Sequence, residues 1–326
     1  MTDPASLDWQ VLNALLHAGE PMDIRKLAVK LDTHDQAIRQ SLQRLENDGC
    51  QYEQNAQGIQ LTEAGLGTWG DFLKPITSLT QIYQGTASTQ DALRRIIEHQ
   101  GESADGTVVV ADVQSAGRGR LGRQWIAPSG KCLLLSRAWV GHNQDPIQTI
   151  NRLTFSTAVA MAKGIESVCD AHLQMTIKWP NDLLIKGQKI AGILVETTAL
   201  PNNQLAAMIG VGINVNLDQS DLDTMPPNAK HLPTSLKLNR QKVHRLQVLY
   251  AVLNELNKAL AEPNTDKILT DWQQRSMLMG QHVTIQHNSR SYTGTVVDLD
   301  LFEGLILRTD HGPIVHLPAA SSTIMA

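Results

Sequence analysis

The sequence predicts a multidomain α+β chain, on three observations. Helical periodicity runs into a turn-rich hairpin over the first 65 residues, strands mix with helices from about 80 to 275, and only short strands follow Met279. At 326 residues the chain has room for two domains and a small third. With 42% of residues hydrophobic and 18% charged it can bury a sizeable core, and with 4% aromatic that core must be mostly aliphatic.

Leu7, Val11, Ala14, Leu15 and Ala18 keep one helical face, ended by Gly19. Ile24, Leu27, Ala28 and Leu31 make a second, shorter face. Ile38, Ser41, Leu42 and Leu45 form a third after a break at Asp32-Thr33-His34. A short helix, a tight break and a longer helix is the spacing of a helix-turn-helix. Gln51 to Glu53 and Ile59 to Leu61 flank the hairpin tip Asn55 to Gly58, so residues 1–66 read as a winged helix-turn-helix domain. Such a domain would turn Thr33, His34, Gln36, Arg39, Gln40 and Arg44 toward DNA. Charge pulls the other way: residues 1–66 hold five Lys and Arg against ten Asp and Glu, a net −5, and the rest of the chain carries +1. Phosphate contacts need nearby cations. Two readings therefore stand, a DNA reader and a winged fold kept for packing or protein contact. The whole-chain charge of −4 excludes a globally basic nucleic-acid binder.

Residues 67–80, with Lys74-Pro75, read as a linker. In the next piece, residues 81–277, Thr107 to Ala111, Leu133 to Trp139, Met175 to Trp179, Leu183 to Ile185, Ile190 to Thr197 and Leu205 to Val211 read as strands. Arg152 to Asp170 and the stretch from Val243 to Leu260 read as amphipathic helices. Adjacent strands joined by short turns and covered by helices argue for an α+β domain rather than regular βαβ winding. Residues 278–326 hold the short strands Val283 to Gln286, Tyr292 to Val297, Leu305 to Arg308 and Ile314 to Leu317, the size of an SH3-like β-barrel.

The start of the chain has acids where a signal peptide carries Lys or Arg, and its apolar runs fall short of a membrane span. Cys50, Cys132 and Cys169 suit neither a disulfide framework nor a zinc site, so reduced thiols in a cytoplasmic protein are expected. The histidines form no ligand-spaced cluster, and no protein-held metal is expected.

The sharpest local signal is Gln114-Ser-Ala-Gly-Arg-Gly-Arg-Leu-Gly-Arg-Gln-Trp125, in which Gly117, Gly119 and Gly122 alternate with Arg118, Arg120 and Arg123. Glycines let backbone approach a ligand, and guanidinium forks match carboxylate or phosphate. The pattern is neither a P-loop nor a dinucleotide fingerprint. It reads as an anion-binding loop, with a solvated basic loop as the plain alternative. Lys178, ahead of Trp179-Pro180, puts a point charge at a strand end, useful for phosphate or merely exposed. Ile209-Gly-Val-Gly-Ile-Asn214 sets two glycines on a strand, where a planar ring could lie on backbone or packing alone could explain them.

Taken in order, Gly117-Arg-Gly-Arg-Leu-Gly-Arg-Gln-Trp125, Lys178-Trp-Pro-Asn-Asp182, Lys189-Ile-Ala-Gly-Ile-Leu-Val-Glu196 and Gly210-Val-Gly-Ile-Asn214 resemble the biotin protein ligase family. With the N-terminal domain the chain is similar to its bifunctional bacterial form, ligase and biotin operon repressor. The resemblance implies a central mixed sheet with helices, like that of class II synthetases. It implies biotin, ATP and Mg²⁺ as reactants, and biotinyl-5′-AMP made in a first step. A lysine of the biotin carboxyl carrier protein of acetyl-CoA carboxylase is then the acceptor. It further implies a homodimer on adenylate binding, operator DNA as a partner, and no membrane.

Carried over by position, Lys178, Arg118 and Arg120 would be catalytic. Ser88, Thr89, Gln90, Gln114, Arg118, Gly119, Arg120, Lys178 and Gly192 would surround biotin. Arg123, Trp125 and Asn214 would face the nucleotide, with Thr234-Ser235-Leu236 near the adenine. The family's Ser-Thr-Asn is here Ser88-Thr89-Gln90, Leu121 stands where many members have another Arg, and the late C-terminal Arg of some members is lacking. The other functions in view are a biotin-sensing repressor with little ligase activity and a lipoate-type ligase on the same core.

Overall fold

The computed structural model describes residues 6–77, 79–142, 145–201, 203–225, 232–262 and 264–325. The first residues of the chain, on which the reading of its start partly rests, lie outside this set.

Three helices open the chain: α1 Leu7–Leu16, α2 Ile24–Lys30 and α3 Asp35–Asn47. Side chains cap each one. Ser6 accepts from the Trp9 N–H, Asp23 from Arg25 and Lys26, and His34 Nδ1 from Ala37. An antiparallel hairpin follows, β1 Gln51–Asn55 and β2 Gly58–Glu63, its tip folded by Asn55 Oδ1 accepting from Gln57 and Gly58. The first half of the expected linker is a helix, α4 Leu66–Leu73, with Trp69, Phe72 and Leu73 buried. Phe72 stacks on Trp9 at 5.3 Å and meets Tyr250 edge-on at 5.5 Å, so apolar packing rather than a loose tether joins the pieces.

A seven-stranded sheet forms the centre. Its strands are β3 Thr80–Thr86, β4 Val108–Gln114, β5 Cys132–His142, β6 Thr176–Lys178, β7 Asp182–Ile185, β8 Gln188–Leu200 and β9 Gln204–Asn214, in spatial order β3-β4-β5-β9-β8-β7-β6. The β3–β4 pair is parallel and the others antiparallel. Helix α5, Thr89–Gln100, covers one face of the sheet. Helices α6 Pro146–Val168 and α8 Arg245–Ala261 pack together on the other, with α7 Gln219–Asp223 between them in sequence and α9 Thr265–Arg275 after. Helix α6 starts six residues before the expected Arg152, because Asp145 caps it and Pro146 occupies its first position. The sequence reading missed α5, whose apolar stripe is short: Ala92, Leu93 and Ile97 are buried and Ile96 packs partly buried beside them.

The C-terminal piece is an antiparallel sheet of β10 His282–His287, β11 Arg290–Asp300, β12 Gly304–Thr309, β13 Ile314–Leu317 and β14 Ser322–Ile324, ordered β13-β12-β11-β10-β14. The four expected strands are there, and β14 adds a fifth. Asn151, fully buried in α6, docks this sheet by donating to the Phe302 carbonyl (2.5 Å) and accepting from the Ala319 N–H (2.8 Å). Among the described residues no helix is long and apolar enough to cross a membrane.

Candidate active site

The site lies on the α5 face of the central sheet. Gly192 of β8 pairs with Gly212 of β9, which pairs with Leu134 of β5, so bare backbone forms a trough between two strands. The Trp125 indole lies in it. A Cβ on Gly212 would come within 2.5 Å of that ring, and one on Gly192 within 3.0 Å. Glycine is required at both positions because any side chain would expel the indole. The Trp125 Nε1 is buried without a hydrogen-bond partner.

Neutral hydrogen-bonding groups gather at one end of the trough. Gln114 Oε1 accepts from the Thr89 N–H (2.7 Å) and hydroxyl (3.0 Å), and Ser136 donates to Thr89 Oγ1 at 2.9 Å. Ser136 is the register partner of Gly210. Gln90 donates across the seam to the carbonyls of Leu194 (2.9 Å) and Met208 (3.3 Å). Its Oε1 is buried with no donor. Ser88, the buried N-cap of α5, makes no capping bond with its side chain.

Lys189 stands at the other end, whereas Arg118 reaches Glu196, the register partner of Met208, and so lies on the Gln90 side. Lys189 Nζ sits 5.4 Å from the centre of the Trp125 ring and 2.6 Å from Asp182 Oδ1. The arginine loop is a small hairpin, in which Gly119 N–H donates to the Arg123 carbonyl (2.7 Å) and Trp125 N–H to Gly117 (2.9 Å). Arg118 forks onto Asp91 (2.8 Å) and Glu196 (3.2 Å). Arg120 donates to the carbonyls of Ala319 and Ser322 in the C-terminal sheet, and burial pulls its guanidinium down to about 10. Arg123 is exposed. Asn214 closes the far side, donating to the Thr234 carbonyl at 3.0 Å.

The hairpin tip is strained. Leu121 has φ 58° and ψ 37°, a left-handed conformation costing an L-residue about 1–2 kcal/mol. Its side chain is exposed, so Leu121→Gly is expected to raise stability by about 1 kcal/mol, read as a higher urea midpoint.

Comparison with known proteins places this arrangement. Residues 84–216, which hold the whole trough, match the model of the biotin/lipoate A/B protein ligase family. The bifunctional ligase/repressor BirA of Bacillus spizizenii is 33% identical over 238 residues, covering 71% of this chain and 70% of that one. The chain belongs to the biotin/lipoate A/B protein ligase family. Another relative of this ligase-family chain is the biotin–[acetyl-CoA-carboxylase] ligase of Mycobacterium tuberculosis, 29% identical over 245 residues, covering 74% and 84%. The fold is also that of the Aquifex aeolicus biotin protein ligase solved with biotin and ATP, at TM-score 0.60 and 24% identity over 76% of this chain and 99% of that one.

The structure brings most of the expected residues of this ligase-family chain onto one face of the central sheet. Lys178 pairs with Asp182, which pairs with Gly192, so it shares the trough's cross-strand row, its backbone two strand spacings, roughly 10 Å, from Gly192. Lys189, which heads one of the four sequence motifs but was given no role there, lies against Gly192. Three residues apart on a regular strand these two would face opposite ways. A bulge that leaves Ile190 unpaired shifts the alternation and brings Lys189 to the trough side. Ser136 was missed as well, and its signal was a lone serine in an apolar strand. On α3, Gln36, Arg39 and Gln40 are exposed, but His34 serves as the helix cap and Arg44 forks onto Asp8 with two 2.8 Å bonds.

The Arg118 hydrogen bond and charge hold the Asp91 carboxyl below the usual carboxylate range. A carboxyl depressed in the folded state adds stability above its unfolded value and loses it as pH falls through the folded one. Asp91→Asn should therefore lower the thermal midpoint at neutral pH and converge with the unmutated chain below about pH 4. A gap that widens in acid would contradict this.

Proposed function

We propose that the chain is an ATP-dependent biotin protein ligase with three parts, 1–66, 81–277 and 278–326, acting in the cytoplasm. The observation that carries this reading is the glycine trough, with Lys189 at one end and neutral hydrogen-bonding groups beside Arg118 at the other. A fused ureido ring suits bare backbone, and the buried Gln90 Oε1 and the Gln114–Thr89–Ser136 set offer acceptors and hydroxyls to its N–H and carbonyl groups. Ser88 stands beside them at the helix start. The carboxylate end would meet Lys189 and, once released from present partners, Arg118 and Arg120. Magnesium would arrive on the polyphosphate as MgATP.

In the first step a biotin carboxylate oxygen attacks the α-phosphorus of ATP and pyrophosphate leaves. Two anions must approach, so fixed cations that cost no reorganisation lower the barrier. In the second step an acceptor lysine amine attacks the acyl carbon of biotinyl-5′-AMP and AMP leaves. Arg123, Trp125 and Asn214, with Thr234 to Leu236 behind, are assigned to the nucleotide. The acceptor is taken to be the biotin carboxyl carrier protein of acetyl-CoA carboxylase. Purified chain with ATP and biotin should release pyrophosphate and label that acceptor. Lipoate labelled in preference to biotin, or adenylate formed with no transfer, would replace this reading by a lipoate ligase or a biotin sensor.

The second half of the proposal is repression of biotin synthesis genes by an adenylate-bound homodimer. Gln36, Arg39 and Gln40, exposed on one face of α3 beside the hairpin, support a winged helix-turn-helix. With Arg44 engaged by Asp8, the phosphate contribution is small. Adenylate-loaded protein is expected to bind its own upstream DNA with a shallow salt dependence, about two phosphates' worth of slope. No DNA affinity at low salt would reduce this part to packing.

A further inference from the structure

Among the described residues, the most buried ion pair lies outside the trough. Arg245, first residue of α8, and Asp112, near the end of β4, each expose 5% of their side chains and meet at 2.5 Å. Asp112 also closes the arginine loop at its base. Five residues before Gly117, it accepts from the Ser129 hydroxyl (2.5 Å) and the Gly130 N–H (3.2 Å), four and five residues past Trp125. Arg245 meanwhile reaches into the N-terminal piece. Its second nitrogen donates to Glu63 at the end of β2 (2.8 Å), and its guanidinium lies 5.3 Å from the Trp69 ring of α4. The Glu63 side opens onto a cleft of about 310 Å³ between the N-terminal and central pieces.

We propose that Arg245 is a positioning residue for the arginine loop, holding its base through Asp112, and that Glu63 sets how firmly it does so. The state of the N-terminal piece then changes loop closure without touching the loop, and anything that closes the loop acts back on the N-terminal piece by linkage. A planar guanidinium has a fixed fork. Glu63 pins one nitrogen, so the other is aimed at Asp112, and with Glu63 gone the fork can turn toward water in the cleft. A buried pair magnifies such a change because neither charge has water to fall back on. The inference rests on the ligase reading only for what the loop does when closed.

The test is a double-mutant cycle between two residues that touch the network from opposite sides, Glu63→Gln and Ser129→Ala. Two readouts are taken on the full chain: the rate of tryptic cutting after Arg123 without ligand, relative to other cuts, and biotin affinity by calorimetry. Glu63→Gln alone is expected to speed that cut about five-fold and weaken biotin by a similar factor; in the Ser129→Ala background the same change should have less than about a two-fold effect. Independent effects that multiply, or no effect of Glu63→Gln on the cut, would overturn the proposal. The outcomes separate it from the ligase reading. Adenylate formed with multiplying effects keeps the ligase and removes the coupling, whereas a non-additive cutting cycle with no adenylate does the reverse.

Discussion

Replacing Lys189 with methionine is expected to lower the rate of biotinyl-adenylate formation about a hundred- to a thousand-fold while leaving the fold intact. The ammonium is the charge nearest the glycine pair, within 3.3 Å of where a Gly192 side chain would begin, and it is held there by Asp182. A charge fixed before the reaction acts on the approaching carboxylate and phosphorus without waiting for loop movement. Arg118 and Arg120 must first leave the partners they hold. Methionine keeps the length and apolar stem of lysine, so the indole should stay packed. Single-turnover pyrophosphate release is the measurement, with circular dichroism to show the fold. Lys178→Met in the same assay separates the two lysines. A loss at Lys178 as large as at Lys189 would return the charge to the strand end that the sequence alone suggested.

Replacing Arg245 with methionine is expected to cost about 3–5 kcal/mol of stability. The substitution fills similar space but leaves Asp112 buried with no counter-charge. Burial alone would raise that carboxyl. The Ser129 hydroxyl, the Arg245 guanidinium and the Gly130 N–H outweigh burial and hold it below the usual range. Their contribution is present above about pH 4 and fades as pH falls through the depressed value, so the penalty of Arg245→Met should shrink in acid. Urea midpoints at neutral pH and near pH 3.5 provide the check. A penalty under about 1 kcal/mol at neutral pH would mean water reaches the pair.

Much of this arrangement was legible because it rests on local chemistry. Gly117, Gly192 and Gly212 are glycine since backbone or indole lies where a Cβ would be, and such a requirement is written in one residue. Strands such as Leu133 to Trp139 announced themselves by apolar runs. What could not be read depends on partners far along the chain. Arg44 sits on the expected recognition helix, yet its fork is taken by Asp8, thirty-six residues earlier. Arg120 is held by carbonyls about two hundred residues later. Lys189 and Lys178 could not be ranked without the cross-strand register and the bulge at Ile190, which turn lengths and packing settle together. Helix α5 has too short an apolar stripe to stand out from its charged neighbours, although its N-cap Ser88 and first residues Thr89 and Gln90 are among those proposed to face biotin.

The indole resting on the glycine pair gives the pocket an internal competitor. Every visitor meets an already occupied seat, and its apparent dissociation constant is the intrinsic one divided by the fraction of time that seat is open. Fragments such as short fatty acids would be screened out by that surcharge, whereas a compact bicyclic molecule with enough contact surface would clear it. The cost is the same for every visitor, so it leaves their relative affinities alone and raises the contact each must make before it binds at all, even when it is small enough to fit.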